Sequence, residues 1–85
     1  MSRYTIHGTD PVTKHAVDIS YGYDHMIPEA GWFIEAHARD KEDTELMNEG
    51  QVKGIAAERL IDVACNWNAV LPQEHLEKLI SNTPL

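Results

Sequence analysis

The sequence predicts an α+β fold: a three-stranded antiparallel meander packed against two C-terminal helices, in the order βββαα. Three observations carry this reading. Segments in the first half alternate apolar and polar residues with the period of a strand. Ile55–Val70 repeats instead with the period of a helix. A last short stripe, Leu76, Leu79 and Ile80, follows Pro72, which suits a helix start.

Arg3–His7 places Tyr4 and Ile6 on one face and Arg3, Thr5 and His7 on the other. Gly8–Thr13 is turn chemistry, since Asp10 before Pro11 disfavours helix and proline presets φ. Lys14–Tyr21 alternates next, with Val17, Ile19 and Tyr21 opposite Ala16, Asp18 and Ser20. The two runs read as a β-hairpin with a longish loop. Tyr21–Gly31 mixes two glycines and a proline with large side chains, and is expected to be an ordered loop. Trp32–Arg39 is the third strand. Trp32, Ile34, Ala36 and Ala38 share one face, and Phe33, Glu35, His37 and Arg39 the other.

Asp40–Gln51 carries five acids and one lysine, and is expected to be a solvated connector. A short turn capped by Thr44 is the alternative. The main helix follows. Val63, Ala56, Trp67, Leu60, Ala64, Ala57 and Ile61 cover roughly half its circumference. A surface helix needs a stripe of only roughly 100°. The arc therefore predicts a helix covered on two sides, by the sheet and by the last helix, with Cys65 as a small buried or half-buried residue at its edge. Pro72–Ile80 forms that last helix. Asn82 is expected as its left-handed cap, and the pair as an αα-hairpin.

Length and composition set the bounds. Eighty-five residues are expected to make one domain, residues 1–85, which hides only about 60% of its unfolded surface. Hydrophobic content of 42% with 25% charged residues excludes wholesale disorder. No stretch reaches the ~20 apolar residues of a membrane span, and the N-terminal residues lack the apolar core of a signal peptide. A single cysteine permits no internal disulfide. The expected compartment is a reducing cytoplasm, that of a bacterial host cell.

Fourteen acids oppose seven bases, a net charge of −7. Arg3, Lys14, Arg39, Lys41, Lys53, Arg59 and Lys78 are scattered, so no basic face for phosphates exists and no direct nucleic-acid binding is expected. Pro72–Ile80 as a recognition helix would present acids where bases need cations. Acidity favours solubility, or a partner protein with a basic surface.

Catalytic signatures are missing. Ser2, Ser20 and Ser81 lie in no nucleophile elbow, and Gly50–Gly54 lacks the spacing of a phosphate loop. Asp40, Glu42, Asp43 and Glu45 do not fit a calcium loop. Cys65 has no cationic neighbour to form a thiolate. His7 and His37 share a sheet face with Glu35 and Asp18, but no histidine pair has i, i+4 or His-x-His spacing. No metal and no cofactor are expected. His15, His25 and His75 have no evident partners. The open sheet face is the best candidate surface, and Phe33 is its anomaly. It is either an exposed contact anchor or a residue folded beneath the Tyr21–Gly31 loop.

Tyr4–Thr13, Ile19-Ser20-Tyr21-Gly22-Tyr23-Asp24 and Pro72-Gln73-Glu74-His75-Leu76 resemble small acidic accessory proteins of phages and other mobile elements, some of them anti-CRISPR proteins. The resemblance spans about half the chain and defines no functional residues to carry over. It implies a non-enzymatic, protein-binding inhibitor whose acidic surface occupies a basic, nucleic-acid-binding site on its partner. The acids expected to matter are Glu29, Glu35, Asp40, Glu42, Asp43, Glu45 and Glu49, with Tyr23 and Phe33 as anchors. The alternatives are a homodimeric structural or regulatory subunit and, behind it, a metal-dependent enzyme using His7 and His37.

Overall fold

The computed structural model describes residues 2–29, 31–39 and 44–84. Its elements are β1 (Tyr4–Thr9), β2 (Ala16–Tyr23), β3 (Trp32–Ala38), β4 (Glu45–Glu49), α1 (Ala57–Asn66) and α2 (Gln73–Ile80). The strands form one antiparallel sheet in the order β1-β2-β3-β4. The fold is α+β with the helices last, as expected, but the sheet has four strands rather than three.

The extra strand arises from the stretch expected to be a charged loop or capped turn. Met47 pairs with Ala36 and packs against the core, while Glu49 turns to Arg59 of α1. An edge strand tolerates charge because its outer side faces water. The acids of this stretch therefore mask a strand in the sequence.

The β1–β2 turn is built on Asp10. Its carboxylate accepts the backbone N–H groups of Val12 at 2.8 Å and Thr13 at 3.2 Å. The Val12 bond, with Thr13 beside it, holds the Asp10 carboxyl below the ordinary carboxylate range, against the opposing effect of burial. The segment expected to be a loop from Tyr21 onward begins as strand, since Tyr21–Tyr23 belong to β2. Asp24 N–H donates to Gly31 at 2.9 Å, and Gly54 N–H donates to Pro28 at 2.9 Å.

One sheet face and the helices enclose the core. Val17, Ile19 and Tyr21 of β2 and Trp32, Ile34 and Ala36 of β3 meet Ala57, Leu60, Val63 and Ala64 of α1, with Leu79 of α2. Each large aliphatic or aromatic side chain so buried contributes roughly 1.5–3 kcal/mol. α1 lies between β3 and α2, so the helix is covered on two sides. Asn68 (φ 55°) ends α1, where Ala69 N–H donates to Ala64 at 2.9 Å. Asn82 (φ 55°) ends α2 in the left-handed conformation expected of it.

Some expected core residues lie elsewhere. Ile80 and Ala56 are exposed, Tyr4 is partly so, and Ile61 and Trp67 are half-buried. Cys65 is exposed, not buried. It sits three residues after Asp62 and beside Asn66, which places it on the polar arc. Among the described residues, no helix is long and apolar enough to cross a membrane.

Candidate functional site

Both helices cover the same side of the sheet, so the residues alternating with the core residues form a polar face. Register aligns them in rows. His7, Asp18, His37 and Glu45 make one row across all four strands, and Thr5, Ser20, Glu35 and Asn48 make the next. Arg3 lies just ahead of β1 and Gln51 just beyond β4.

Phe33 is the floor of this face. It is 1% exposed, so it is buried and not an open anchor. The Arg3 guanidinium lies 5.0 Å from its ring centroid, a cation–π contact. Ser2 crosses Gly22 beside it, donating its N–H to Tyr23 at 2.8 Å. A side chain at Gly22 would meet the Ser2 carbonyl at 2.0 Å, and one at Gly50 (φ +90°) would meet that of Trp32 at 2.3 Å. Glycine at both positions lets the backbone close over Phe33.

Glu35 is 9% exposed, and Arg3 forms an ion pair with its Oε1. Gln51 Nε2 donates to its Oε2 at the longer distance of 3.4 Å. In the adjoining row, Asp18 Oδ1 accepts from Arg39 Nε at 3.3 Å and lies 3.0 Å from His7 Nδ1. Arg39 Nη2 also approaches that nitrogen. His7 Nδ1 either accepts from Arg39 or, protonated, donates to Asp18, and it cannot do both. The Thr5 and Ser20 hydroxyls are 3.3 Å apart.

Asp18 stands between His7 and His37, so the two histidines belong to strands two positions apart, about 10 Å at ordinary strand spacing. The neighbours of His37 are Glu35 and Glu45 instead. A bulge produces that arrangement. Ala36 faces Met47, the pairing then skips Leu46, and His37 faces Glu45. Bulges re-aim side chains in this way.

The expected contact residues have separate fates. Tyr23 is half-buried, edge-on to Trp32 with ring centroids 5.1 Å apart. Glu29 pairs with Lys53 at 3.4 Å, and Glu49 holds Arg59 through both oxygens at 2.9 Å. That grip raises the Arg59 pKa further above its ordinary value. Glu45 is exposed and accepts from Asn48 at 2.8 Å. Asp40, Glu42 and Asp43 lie outside the described residues.

Two features escape the sequence reading. Glu58 and Asp62 on α1 and Glu74 and Glu77 on α2 are exposed and, among the described residues, form no ion pair. His75, without an evident partner in the sequence, bonds through Nδ1 to the buried Tyr21 hydroxyl and packs against Tyr4, the two rings tilted by 50° with centroids 4.3 Å apart. Burial, with a smaller effect from Tyr4, pushes the Tyr21 phenol up to about 12. A tyrosine on the apolar face of a strand signals that its hydroxyl needs a partner, but not which one. Comparison with protein-family models, with curated proteins and with solved structures found no match.

Proposed function

We propose that this chain is a non-enzymatic protein-binding module whose acidic surface occupies a basic, nucleic-acid-binding site on a partner protein. An inhibitor carried by a phage or mobile element, of the anti-CRISPR kind, acts in this way. The distribution of charge supports the reading. Arg3, Arg39, Lys53 and Arg59 are engaged in ion pairs with acids of the sheet, the loops and β4. Glu58, Asp62, Glu74 and Glu77 on the helices form no ion pair among the described residues, and they outnumber Arg59 and Lys78 on the same two helices. The helix acids displace Glu29, Glu35 and Glu49, which are internally neutralised, as the residues to test first.

The test is capture of partners from a bacterial lysate at low and high salt. The parent chain is compared with one carrying Glu58→Lys, Asp62→Lys, Glu74→Lys and Glu77→Lys. Electrostatic docking weakens with salt and is lost with charge reversal. A captured partner indifferent to both overturns the reading.

A homodimer is the second reading, favoured by β4, whose outer edge has no neighbouring strand among the described residues. Its bulge and its terminal Glu45 and Glu49 are devices that discourage edge pairing. Sedimentation separates the readings: a monomer at micromolar concentration removes the dimer.

A further inference from the structure

We propose that Glu35, His37 and Glu45 form a divalent-cation site on the open sheet face, suited to zinc. One ligand atom from each side chain lies within 4.8 Å of the other two. Zinc holds nitrogen and oxygen ligands at about 2.0–2.2 Å, which sets neighbouring ligands of a tetrahedron ~3.3 Å apart. Glu45 is exposed on an edge strand and accepts from Asn48 through Oε1, so closing the set to that spacing requires its side chain to rotate.

Three features of the fold build the trio. Glu35 and His37 alternate on β3, an interior strand, which fixes two ligands on one face. The bulge at Leu46 supplies the third, because regular pairing would have set that residue opposite His37. Arg3 grips Glu35 through Oε1, whereas Oε2 has only the 3.4 Å contact from Gln51. Oε2 is therefore the oxygen available to a cation, with Arg3 orienting the carboxylate from the outer shell.

The donor set defines the cation. One imidazole and two carboxylates suit zinc, a donor set it shares with other first-row divalent ions. Magnesium favours oxygen ligands and retained water. Three protein ligands leave a fourth position for water. The site involves neither the helix acids nor a partner protein, so it stands or falls separately from the binding function proposed above.

The test is calorimetric titration of the full chain with zinc chloride, with magnesium chloride as control, followed by the histidine ring-nitrogen NMR signals. One zinc is expected per chain, with the His37 signals displaced. His37→Ala and Glu45→Gln should each weaken binding at least about tenfold, a size that even outer-shell changes reach. His7→Ala should leave it unchanged. Glu45→Gln is an exposed substitution on an edge strand, so it reports on the site even where His37→Ala perturbs folding. Three results overturn the site: no saturable zinc uptake, uptake indifferent to Glu45→Gln, or equal affinity for magnesium.

Discussion

The two faces of the sheet come from the same strands and alternate residue by residue, yet different forces hold them. On the covered face Val17, Ile19, Ile34 and Ala36 are fully buried in the core that the sheet shares with the helices. On the open face Thr5, His7, Asp18, Ser20 and Arg39 make polar contacts at the surface. Apolar burial is worth kilocalories per side chain, whereas an exposed ion pair contributes about 0–1 kcal/mol. The fold is thus specified on one side, leaving the other free to carry chemistry. Each face also holds exceptions. Phe33 is buried on the polar side, and the Tyr21–His75 bond is polar on the apolar side.

Substitution at the centre of the covered face probes the difference most strongly. Leu60 is fully buried where α1 meets the sheet. Leu60→Ala should cost about 2–5 kcal/mol, the range for a leucine cavity. A small domain has only about 5–15 kcal/mol in all. The denaturant midpoint should fall accordingly. A shift no larger than that of an open-face substitution would erase the contrast.

Gly22→Ala tests the exception on the polar side. Its methyl cannot coexist with the Ser2 carbonyl at 2.0 Å, so the segment crossing Phe33 must lift. Overpacking of this kind costs roughly 1–3 kcal/mol. Faster hydrogen exchange at the Ser2 and Tyr23 amides should accompany it. A variant with parental stability and unchanged exchange would show that Ser2 is no fixed cover.

These exceptions also mark where the sequence ceases to be legible. Period-two alternation places Val17, Ile19, Tyr21, Trp32 and Ile34 on one face, and helical period places Leu60, Val63 and Ala64 against them. Those local patterns suffice for three strands, two helices and the Asn82 cap. They say which face a residue occupies, but not what covers it. Phe33 lies against Arg3 and the turn at Gly50, which are distant in sequence, so its burial leaves no local signal. β4 is hidden because an edge strand with Glu45 and Glu49 lacks the apolar composition of an interior one. The Glu35–His37–Glu45 grouping needs the bulge, which only the pairing register reveals. The sequence brings His37 to the correct face but pairs it with His7, on the far side of Asp18.

Tyr21→Phe tests the polar exception on the covered face. Removing the hydroxyl deletes one buried hydrogen bond and leaves His75 Nδ1 unpaired, a loss of about 1 kcal/mol. It also changes the response to alkali. The folded phenol titrates at about 12 rather than near 10, so the folded state holds its proton more tightly than the unfolded chain. Stability present below pH 10 is therefore lost progressively as pH rises through about 12. In the phenylalanine variant that part of the alkaline decline should disappear in denaturant titrations across this range. An unchanged profile would mean that the folded chain does not hold the Tyr21 proton more tightly than the unfolded one.

The smallest effect should come from the open face itself. Asp18 links to His7 and Arg39 through side chains exposed by 37%, 75% and 46% respectively. Asp18→Asn keeps the shape but removes the charge, and its cost should stay below about 1 kcal/mol and shrink further at high salt. Paired denaturant titrations at low and high salt measure both quantities. The result bears on function as well as stability. A substitution that leaves the fold nearly untouched can alter the row His7, Asp18, His37 and Glu45 without confounding a binding measurement. A cost comparable to that of Leu60→Ala would mean that the charged rows help hold the sheet together. Binding defects from substitutions on this face could then no longer be separated from partial unfolding.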